Sequence, residues 1–162
     1  MGGGYGINCI VWMDWRCWME RFALKSSRLV LEGGEQAAAV VVEGGKIVDV
    51  VGWGELGSGI AVQDWGDRVI SPGVIDGHVH INEPGREEWE GFWTATRAAA
   101  AGGVTVLMDM PLNSIPPVLD GRSLELKLGS AEGKLWVDCG FYGGYVGQGL
   151  GHIWDLAGAG VW

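Results

Sequence analysis

The sequence of 162 residues contains few basic residues, few cysteines and no long uncharged apolar run. Eleven Lys and Arg residues stand against twenty Asp and Glu residues, which gives a formal net charge of -9. Because binding to phosphate groups depends on clustered basic side chains, this balance excludes a nucleic-acid partner and an anionic membrane surface. No window of roughly 18 or more uncharged apolar residues is present, so the sequence predicts no membrane-spanning helix.

Cysteine usage indicates the compartment. Cys9, Cys17 and Cys139 are odd in number and form no CxxC pair. This pattern is typical of a reduced intracellular protein and not of a disulfide scaffold. We therefore predict a cytoplasmic location.

The first 25 residues differ in composition from the rest of the chain. They are rich in Trp and lack both the basic start and the cleavage site of a secretory signal. Val11, Trp15, Trp18 and Phe22 recur at helical spacing, which predicts a short amphipathic helix. It would be a membrane-surface or partner helix, or else a helix packed on its own domain or a poorly ordered leader. The second interpretation is favoured because surface-binding helices are usually rich in Lys and Arg.

Residues 26–72 contain β-branched runs separated by glycine-rich turns. The runs SRLVL, AAAVVVEGGKIVDVVG and DRVI have the composition of strands. Glu43-Gly44-Gly45-Lys46 lies between two such runs and is typical of a hairpin turn. We predict a small antiparallel sheet over about residues 27–70, which ends at the break formed by Ser71-Pro72-Gly73.

From residue 73 onward, strand patterns alternate with helix patterns. GVIDGHVHI, VTVLMDM and KLWVDCGF are apolar strand runs. EGFWTATRAAAAGG, residues 120–132 and GHIWDLAGAG have helical patterns, and two glycines suit the C-terminal cap of the first helix. Strands that alternate with helices indicate parallel βαβ units with right-handed crossovers. The predicted fold class is therefore α/β, with about three βα units.

Two histidines stand one residue apart in the stretch DGHVHINEPGREEWEGF. Alternate residues of a strand point to one side, so Asp76, His78 and His80 share one face while Val79 and Ile81 share the other. Imidazoles are common zinc ligands, and Asp76 would be a further ligand or would orient an imidazole. Such pairs also arise by chance as half-buried or solvent-facing side chains, but the end of a strand in a βα series favours a metal site.

No residue of the chain is assigned as catalytic. His152 is interpreted as a residue of the surface or of a helix N-terminus. The glutamates of the charged loop are interpreted as a solvated loop and helix start, where acidic residues suit the helix dipole. These glutamates are Glu83, Glu87, Glu88 and Glu90.

The stretch SPGVIDGHVHINEPGREEWEGFWTATRAAAAGGVTVLMDMPLNSIPP resembles the opening of the cyclic-amide hydrolases of the amidohydrolase superfamily, and among them the allantoinase branch. The resemblance covers about residues 26–162 and is densest over 69–117. It implies a small β-sandwich domain, to which residues 26–72 contribute, followed by a (β/α)8 TIM-type barrel with two zinc ions. The resemblance makes His78 and His80 ligands of the more buried metal ion.

The resemblance also implies a substrate. Dihydroorotases usually place an Arg where this sequence has Asn82, so the stretch is more similar to allantoinase than to dihydroorotase, hydantoinase or dihydropyrimidinase. Asn113 occupies roughly the place at which relatives hold the substrate, although Asn in a Pro-flanked loop often serves the turn itself. The implied activity is metal-dependent opening of the hydantoin ring of allantoin to allantoate, in purine catabolism, by a cytoplasmic enzyme that is homo-oligomeric at full length.

Several residues that the resemblance implies are absent from this sequence. They are a bridging carbamylated lysine, two later histidines and an aspartate, so His78 and His80 are the expected ligands that are present. A (β/α)8 barrel takes around 250 residues, and about 90 follow Gly73. We therefore expect an incomplete barrel in a truncated chain that is inactive alone. The alternatives are another cyclic-amide hydrolase, or a non-catalytic scaffold or interaction fragment of that family.

Overall fold

The computed structural model describes residues 21–147 and 149–161. It contains two compact units, of which one ends at Pro72 and the other begins at Gly73. The helix predicted around Val11, Trp15 and Trp18 lies outside the described residues. Phe22, which we placed on the apolar face of that helix, belongs to a strand instead, because its backbone pairs with Val42 of the neighbouring strand.

The first unit contains one five-stranded sheet. Its strands are β1 (Phe22–Leu31), β2 (Gly34–Glu43), β3 (Lys46–Gly52), β4 (Ala61–Asp64) and β5 (Val69–Ile70). β1, β2 and β3 are antiparallel, as predicted, but β4 and β5 pair with β1 in parallel. The prediction of a purely antiparallel sheet is therefore wrong. The reason is that residues 53–60 carry the chain from β3 across to the opposite edge of the sheet, where β4 runs in the direction of β1.

The hairpin between β2 and β3 is confirmed. Glu43 pairs with Lys46, and Gly44 and Gly45 between them have φ angles of 58° and 75°. A two-residue turn with positive φ at both positions matches the twist of the flanking strands, and glycine adopts these angles without strain from a side chain. The Gly-Gly pair therefore sets the register of this hairpin.

Side chains on the two faces of this sheet form two small apolar clusters. Val40 and Val42 belong to one cluster, and Ala39 and Val41 belong to the other, because alternate residues of β2 point to opposite faces. β2 is thus the strand that is buried on both sides. The described part of this unit contains a single sheet, so the β-sandwich implied by the resemblance stays a prediction.

The second unit is an α/β unit built on a three-stranded parallel sheet in the order β6-β7-β8. Its elements are β6 (Val74–Val79), α1 (Phe92–Ala101), β7 (Val104–Asp109), α2 (Gly121–Ala131), β8 (Asp138–Phe141) and α3 (Leu150–Gly158). The predicted alternation of strands and helices is confirmed over three βα units. Closure of the strands into a barrel stays a prediction.

The helix boundaries of this unit follow from local chemistry. α1 is capped at its C-terminus by Gly102, and Gly103 beyond it has a φ of 80°, so the predicted glycine cap is confirmed. α2 is capped at its N-terminus by Asp120, whose Oδ1 accepts a hydrogen bond of 2.8 Å from the backbone N–H of Ser123. Within residues 21–147 and 149–161, no helix combines the length and the apolar character that crossing a membrane requires.

Candidate functional site

β6 brings the two histidine side chains together. His78 lies in β6, and His80 directly follows its last residue, Val79. Both imidazoles are exposed, and their ring centroids lie 5.1 Å apart with planes at 69°. Two imidazoles on one tetrahedral zinc ion, each with a Zn–N bond of about 2.1 Å, would have centroids about 5 Å apart. The separation of the two rings therefore fits a single metal ion.

The alternation around the histidine pair follows the strand pattern. Val79 is half-buried and Ile81 is fully buried, whereas His78 and His80 between and beside them are exposed. Asp76 is exposed as well, and its Oδ1 accepts a hydrogen bond of 3.1 Å from the backbone N–H of His78. The hydrogen bond of Asp76 thus goes to the main chain, and its predicted role toward an imidazole stays a prediction.

The donor set at this site consists of two imidazoles. Among the residues that the structure describes, no three His, Cys, Asp or Glu side chains come together in a group that could hold a metal ion. Imidazole nitrogens are ligands that zinc and other late first-row metals accept. A metal ion bound by His78 and His80 alone would keep further coordination positions for water or for other ligands.

A buried ion pair holds the residue that follows His80. The backbone N–H of Ile81 donates a 2.6 Å hydrogen bond to Oδ1 of Asp109, and the Nζ of Lys127 donates a 2.6 Å hydrogen bond to the carbonyl of Ile81. Lys127 Nζ also lies 2.7 Å from Oδ2 of Asp109 and 5.1 Å from the ring centroid of Phe92. Both polar groups of the Ile81 backbone are therefore occupied by one ion pair.

The pKa of the Asp109 carboxyl group reflects this environment. Burial raises the pKa of its carboxyl group, and the hydrogen bond and the charge of Lys127 oppose that rise. The hydrogen bond from the backbone N–H of Ile81 and the charge of His80 also oppose the rise, and the pKa of Asp109 stays raised. Asp109 therefore lies within electrostatic reach of the histidine pair, although its carboxylate contacts Ile81 and Lys127.

We did not predict a role for either Lys127 or Asp109 from the sequence. The sequence position of each residue nevertheless indicated a special role. Lys127 lies on the buried face of α2, between Leu124 and Ala131, where an apolar residue is expected. Asp109 is the last residue of β7, at the carboxyl end of a parallel strand, where functional side chains of barrel enzymes gather.

The loop after β6 is linked to the loop after β7 through two amide side chains. The Nδ2 of Asn113 donates a 3.3 Å hydrogen bond to Oδ1 of Asn82, which is buried and lies two residues after His80. The guanidinium of Arg86 contacts the backbone carbonyl of Asn113 at 3.5 Å. The structure thus places Asn113 beside the loop that follows the histidine pair. The predicted role of Asn113 in substrate binding stays a prediction.

The glutamates of the charged loop divide into two groups. Glu87 and Glu88 are exposed, as predicted. Glu83 is only 5% exposed, so its prediction as a solvated residue is wrong. Its Oε2 accepts a 2.9 Å hydrogen bond from the backbone N–H of Phe92, and its Oε1 forms an ion pair with Lys134. The reason for its burial is that the first amides of α1 need an acceptor.

Comparison with known proteins relates this geometry to a family of enzymes. No protein-family model matches the chain. The chain is 48% identical over 139 residues to an allantoinase of Streptomyces avermitilis, and 42% identical over 138 residues to an allantoinase of Escherichia coli. Each alignment covers 85% of this chain, but only 31% and 30% of the two relatives. The chain therefore spans about a third of the length of the curated relatives that it matches.

Solved structures of related enzymes have a similar fold. The L-hydantoinase of Arthrobacter aurescens superimposes with a TM-score of 0.76 at 29% identity, over 88% of this chain and 32% of that one. The dihydropyrimidinase of Brevibacillus agri superimposes with a TM-score of 0.68 at 26% identity, over 84% of this chain and 30% of that one. Over most of its own length the chain is therefore similar in sequence to allantoinases and in fold to hydantoinases, and it matches about 30% of their length.

Proposed function

We propose that this chain supplies the first metal ligands and part of the substrate pocket of an allantoinase, which opens the hydantoin ring of allantoin to give allantoate. The convergence of His78 and His80 at the end of the first parallel strand carries this proposal. Identity of 48% to an allantoinase supports the choice of substrate. The whole protein would be a cytoplasmic homo-oligomer that acts in purine catabolism.

His78 and His80 would hold a zinc ion through their exposed imidazoles. In the whole protein this ion would be the more buried member of a zinc pair, and Asp76 would support His78 from the backbone side. A zinc ion supplies Lewis-acid chemistry, because it polarises a carbonyl and lowers the pKa of bound water to about 7. A zinc ion binds an imidazole through a ring nitrogen that carries no proton.

The amide side chains beside the site would bind the ring of the substrate. Allantoin is neutral and carries amide and ureido groups, which pair with amides such as Asn113 through hydrogen bonds. Asn82 stands where dihydroorotases usually have an Arg for the carboxylate of their substrate. The hydrogen bond to the buried Asn82 would hold the side chain of Asn113 beside the site. A neutral cyclic amide therefore suits this pocket better than an anionic one.

A second candidate is the hydrolysis of another neutral cyclic amide. The structural similarity to an L-hydantoinase, with a TM-score of 0.76, favours hydantoins as the alternative substrate class. We further expect the 162-residue chain by itself to be inactive, because its described residues bring two metal ligands together and not the larger set of a binuclear site.

Zinc binding tests the metal site directly. Competition with a chromophoric chelator would measure zinc affinity for the chain and for its H78A, H80A and H152A variants. We expect H78A and H80A to lose most of the affinity, while H152A, which removes an imidazole from α3, keeps it. Equal affinity of all four proteins would contradict the assignment of His78 and His80.

A chimera tests the substrate. The matched 139 residues would replace the corresponding segment of the Streptomyces avermitilis allantoinase. We expect the chimera to hydrolyse allantoin in preference to a 5-substituted hydantoin or a dihydropyrimidine, and the same chimera with H78A to be inactive. A zinc-loaded chimera that prefers the 5-substituted hydantoin would support the second candidate instead.

A further inference from the structure

We propose that Lys127 and Asp109 form a positioning pair, which fixes the backbone of Ile81 and so aims the imidazole of His80 toward His78. This inference rests on the proposed metal site. It assigns a role in that site to two residues from β7 and α2 that do not themselves bind the metal ion.

The contacts form a closed ring through the N–H and the carbonyl of one residue, Ile81. Asp109 accepts from the backbone N–H of Ile81 through Oδ1, and it contacts Lys127 through Oδ2. Lys127 in turn donates to the carbonyl of Ile81. The three distances are 2.6, 2.7 and 2.6 Å, and the contact between Lys127 and Oδ2 of Asp109 is an ion pair. Two side chains from two different elements therefore determine where the Ile81 backbone lies.

This ring of contacts lies just beyond the end of β6. The last paired residue of β6 is Val79, which lies opposite Asp109 in the β6–β7 ladder, and its carbonyl accepts a 2.9 Å hydrogen bond from the N–H of Met110. Beyond Val79 the backbone leaves the ladder. His80 is therefore placed between a residue that the sheet anchors and a residue that the ion pair anchors.

The burial of the pair indicates a requirement for defined geometry. Lys127 and Asp109 are 0% and 1% exposed, and their neighbours include the fully buried ring of Phe92. Apolar side chains of similar size usually fill such a space with equal or better stability, so a buried ion pair is not explained by stability alone. Ile81 needs partners for both of its backbone groups because it is buried outside the ladder. The ion pair supplies both partners, and its two side chains project from defined positions on β7 and α2.

The decisive variant removes the pair without leaving a buried charge. Asp109→Leu combined with Lys127→Met fills the space with apolar groups of similar volume and is expected to fold. Asp109→Asn is a milder second variant, which keeps an acceptor for the Ile81 N–H and weakens the hold on Lys127. Leu124→Ala is the matched control, because it removes a buried side chain from the same face of α2 and leaves both hydrogen-bond partners of the Ile81 backbone in place.

Two measurements on the whole 162-residue chain separate positioning from folding. The first is the nuclear Overhauser effect between the rings of His78 and His80 in the metal-free protein, which reports the 5.1 Å contact. The second is the dissociation constant for Zn²⁺, measured by chelator competition. We expect the double variant to lose the ring contact and to bind Zn²⁺ about 10-fold or more weakly, with a smaller loss for Asp109→Asn, because outer partners of metal ligands have effects of that size.

The outcomes distinguish this proposal from the proposed function. Loss of the ring contact in the folded double variant and its retention in Leu124→Ala support the positioning role. If the double variant keeps both the ring contact and a dissociation constant within about twofold of the original, the positioning role is overturned. Equal losses in the double variant and in Leu124→Ala would overturn it too. If the original chain does not bind Zn²⁺ but the double variant still loses the ring contact, the metal site fails while the positioning of His80 stands.

Discussion

The ammonium group of Lys127 lies 2.7 Å from Oδ2 of Asp109 in the interior of the α/β unit. Through this contact α2 is joined to the end of β7, and both are joined to the backbone that follows β6. Three separate parts of the α/β unit thus meet at one pair of charges. The pair makes the stability of this region, as well as its geometry, sensitive to single substitutions.

Lys127→Met is expected to destabilise the chain strongly. It leaves the buried carboxylate of Asp109 without its counter-ion, which typically lowers the free energy of unfolding by about 3–5 kcal/mol. Asp109→Leu combined with Lys127→Met should lower it by less, because no buried charge remains, although the N–H and the carbonyl of Ile81 lose their partners. Urea denaturation monitored by Trp fluorescence measures both. A single variant as stable as the double variant would contradict the pairing.

The stability of Lys127→Met should also depend on pH. Burial already raises the pKa of Asp109, and the substitution removes the hydrogen bond and the charge that oppose this rise. A carboxyl group whose pKa is higher in the folded state binds its proton more tightly there, so the variant is most stable at acid pH. Its free energy of unfolding should fall as the pH rises through the folded pKa of Asp109. Unfolding curves at several pH values, compared with those of Asp109→Leu/Lys127→Met, test the sign.

Asp120 is expected to stabilise α2 in a pH-dependent way. The hydrogen bonds from Ser123 lower the pKa of its carboxyl group. Its contribution is therefore present above the unfolded pKa and is lost as the pH falls through the folded pKa. At neutral pH Asp120→Ala should lower the free energy of unfolding by about 1 kcal/mol. Asp120→Asn keeps an acceptor for the cap and serves as the control, and a pH-independent effect of Asp120→Ala would contradict the charge-assisted bond.

Glu83 is expected to matter for the start of α1. Glu83→Ala leaves the N–H of Phe92 without its acceptor and removes the partner of Lys134, so the free energy of unfolding should fall by about 1–3 kcal/mol. Glu83→Gln keeps an acceptor for that N–H and should cost less. Glu88→Ala, in the exposed part of the same loop, should change stability by less than about 0.5 kcal/mol. Thermal unfolding of the three variants would rank them, and equal effects would contradict the cap.

Cys139 is expected to be an unreactive thiol. Burial, reinforced by the negative charge of Asp109, raises its pKa to about 12. Because the thiolate is the reactive form, Cys139 in a C9S/C17S background should react with an aromatic disulfide reagent far more slowly than a free cysteine at pH 8. The same protein in concentrated urea should react at the ordinary rate. Rapid reaction of the folded protein would show that the thiol is accessible.

Local patterns in the sequence were sufficient for several elements. The Gly44-Gly45 turn was predicted because two glycines between strand runs readily adopt positive φ at both turn positions. His78 and His80 were predicted to share one face because a strand alternates its side chains, and both are exposed while Val79 between them is half-buried. The role of Glu83 was missed because its partners, Phe92 and Lys134, come from other segments, and an acidic residue before a helix is usually solvated.

The sequence by itself determined the α/β alternation after Pro72, the β2–β3 hairpin and the presence of a histidine pair at the end of a strand. Each depends on interactions between residues close in the chain. Only the tertiary structure decided the parallel pairing of β4 and β5 with β1, and the ring formed by Ile81, Asp109 and Lys127. Ile81 and Lys127 are 46 positions apart, and such contacts depend on how distant elements pack, which no local periodicity encodes.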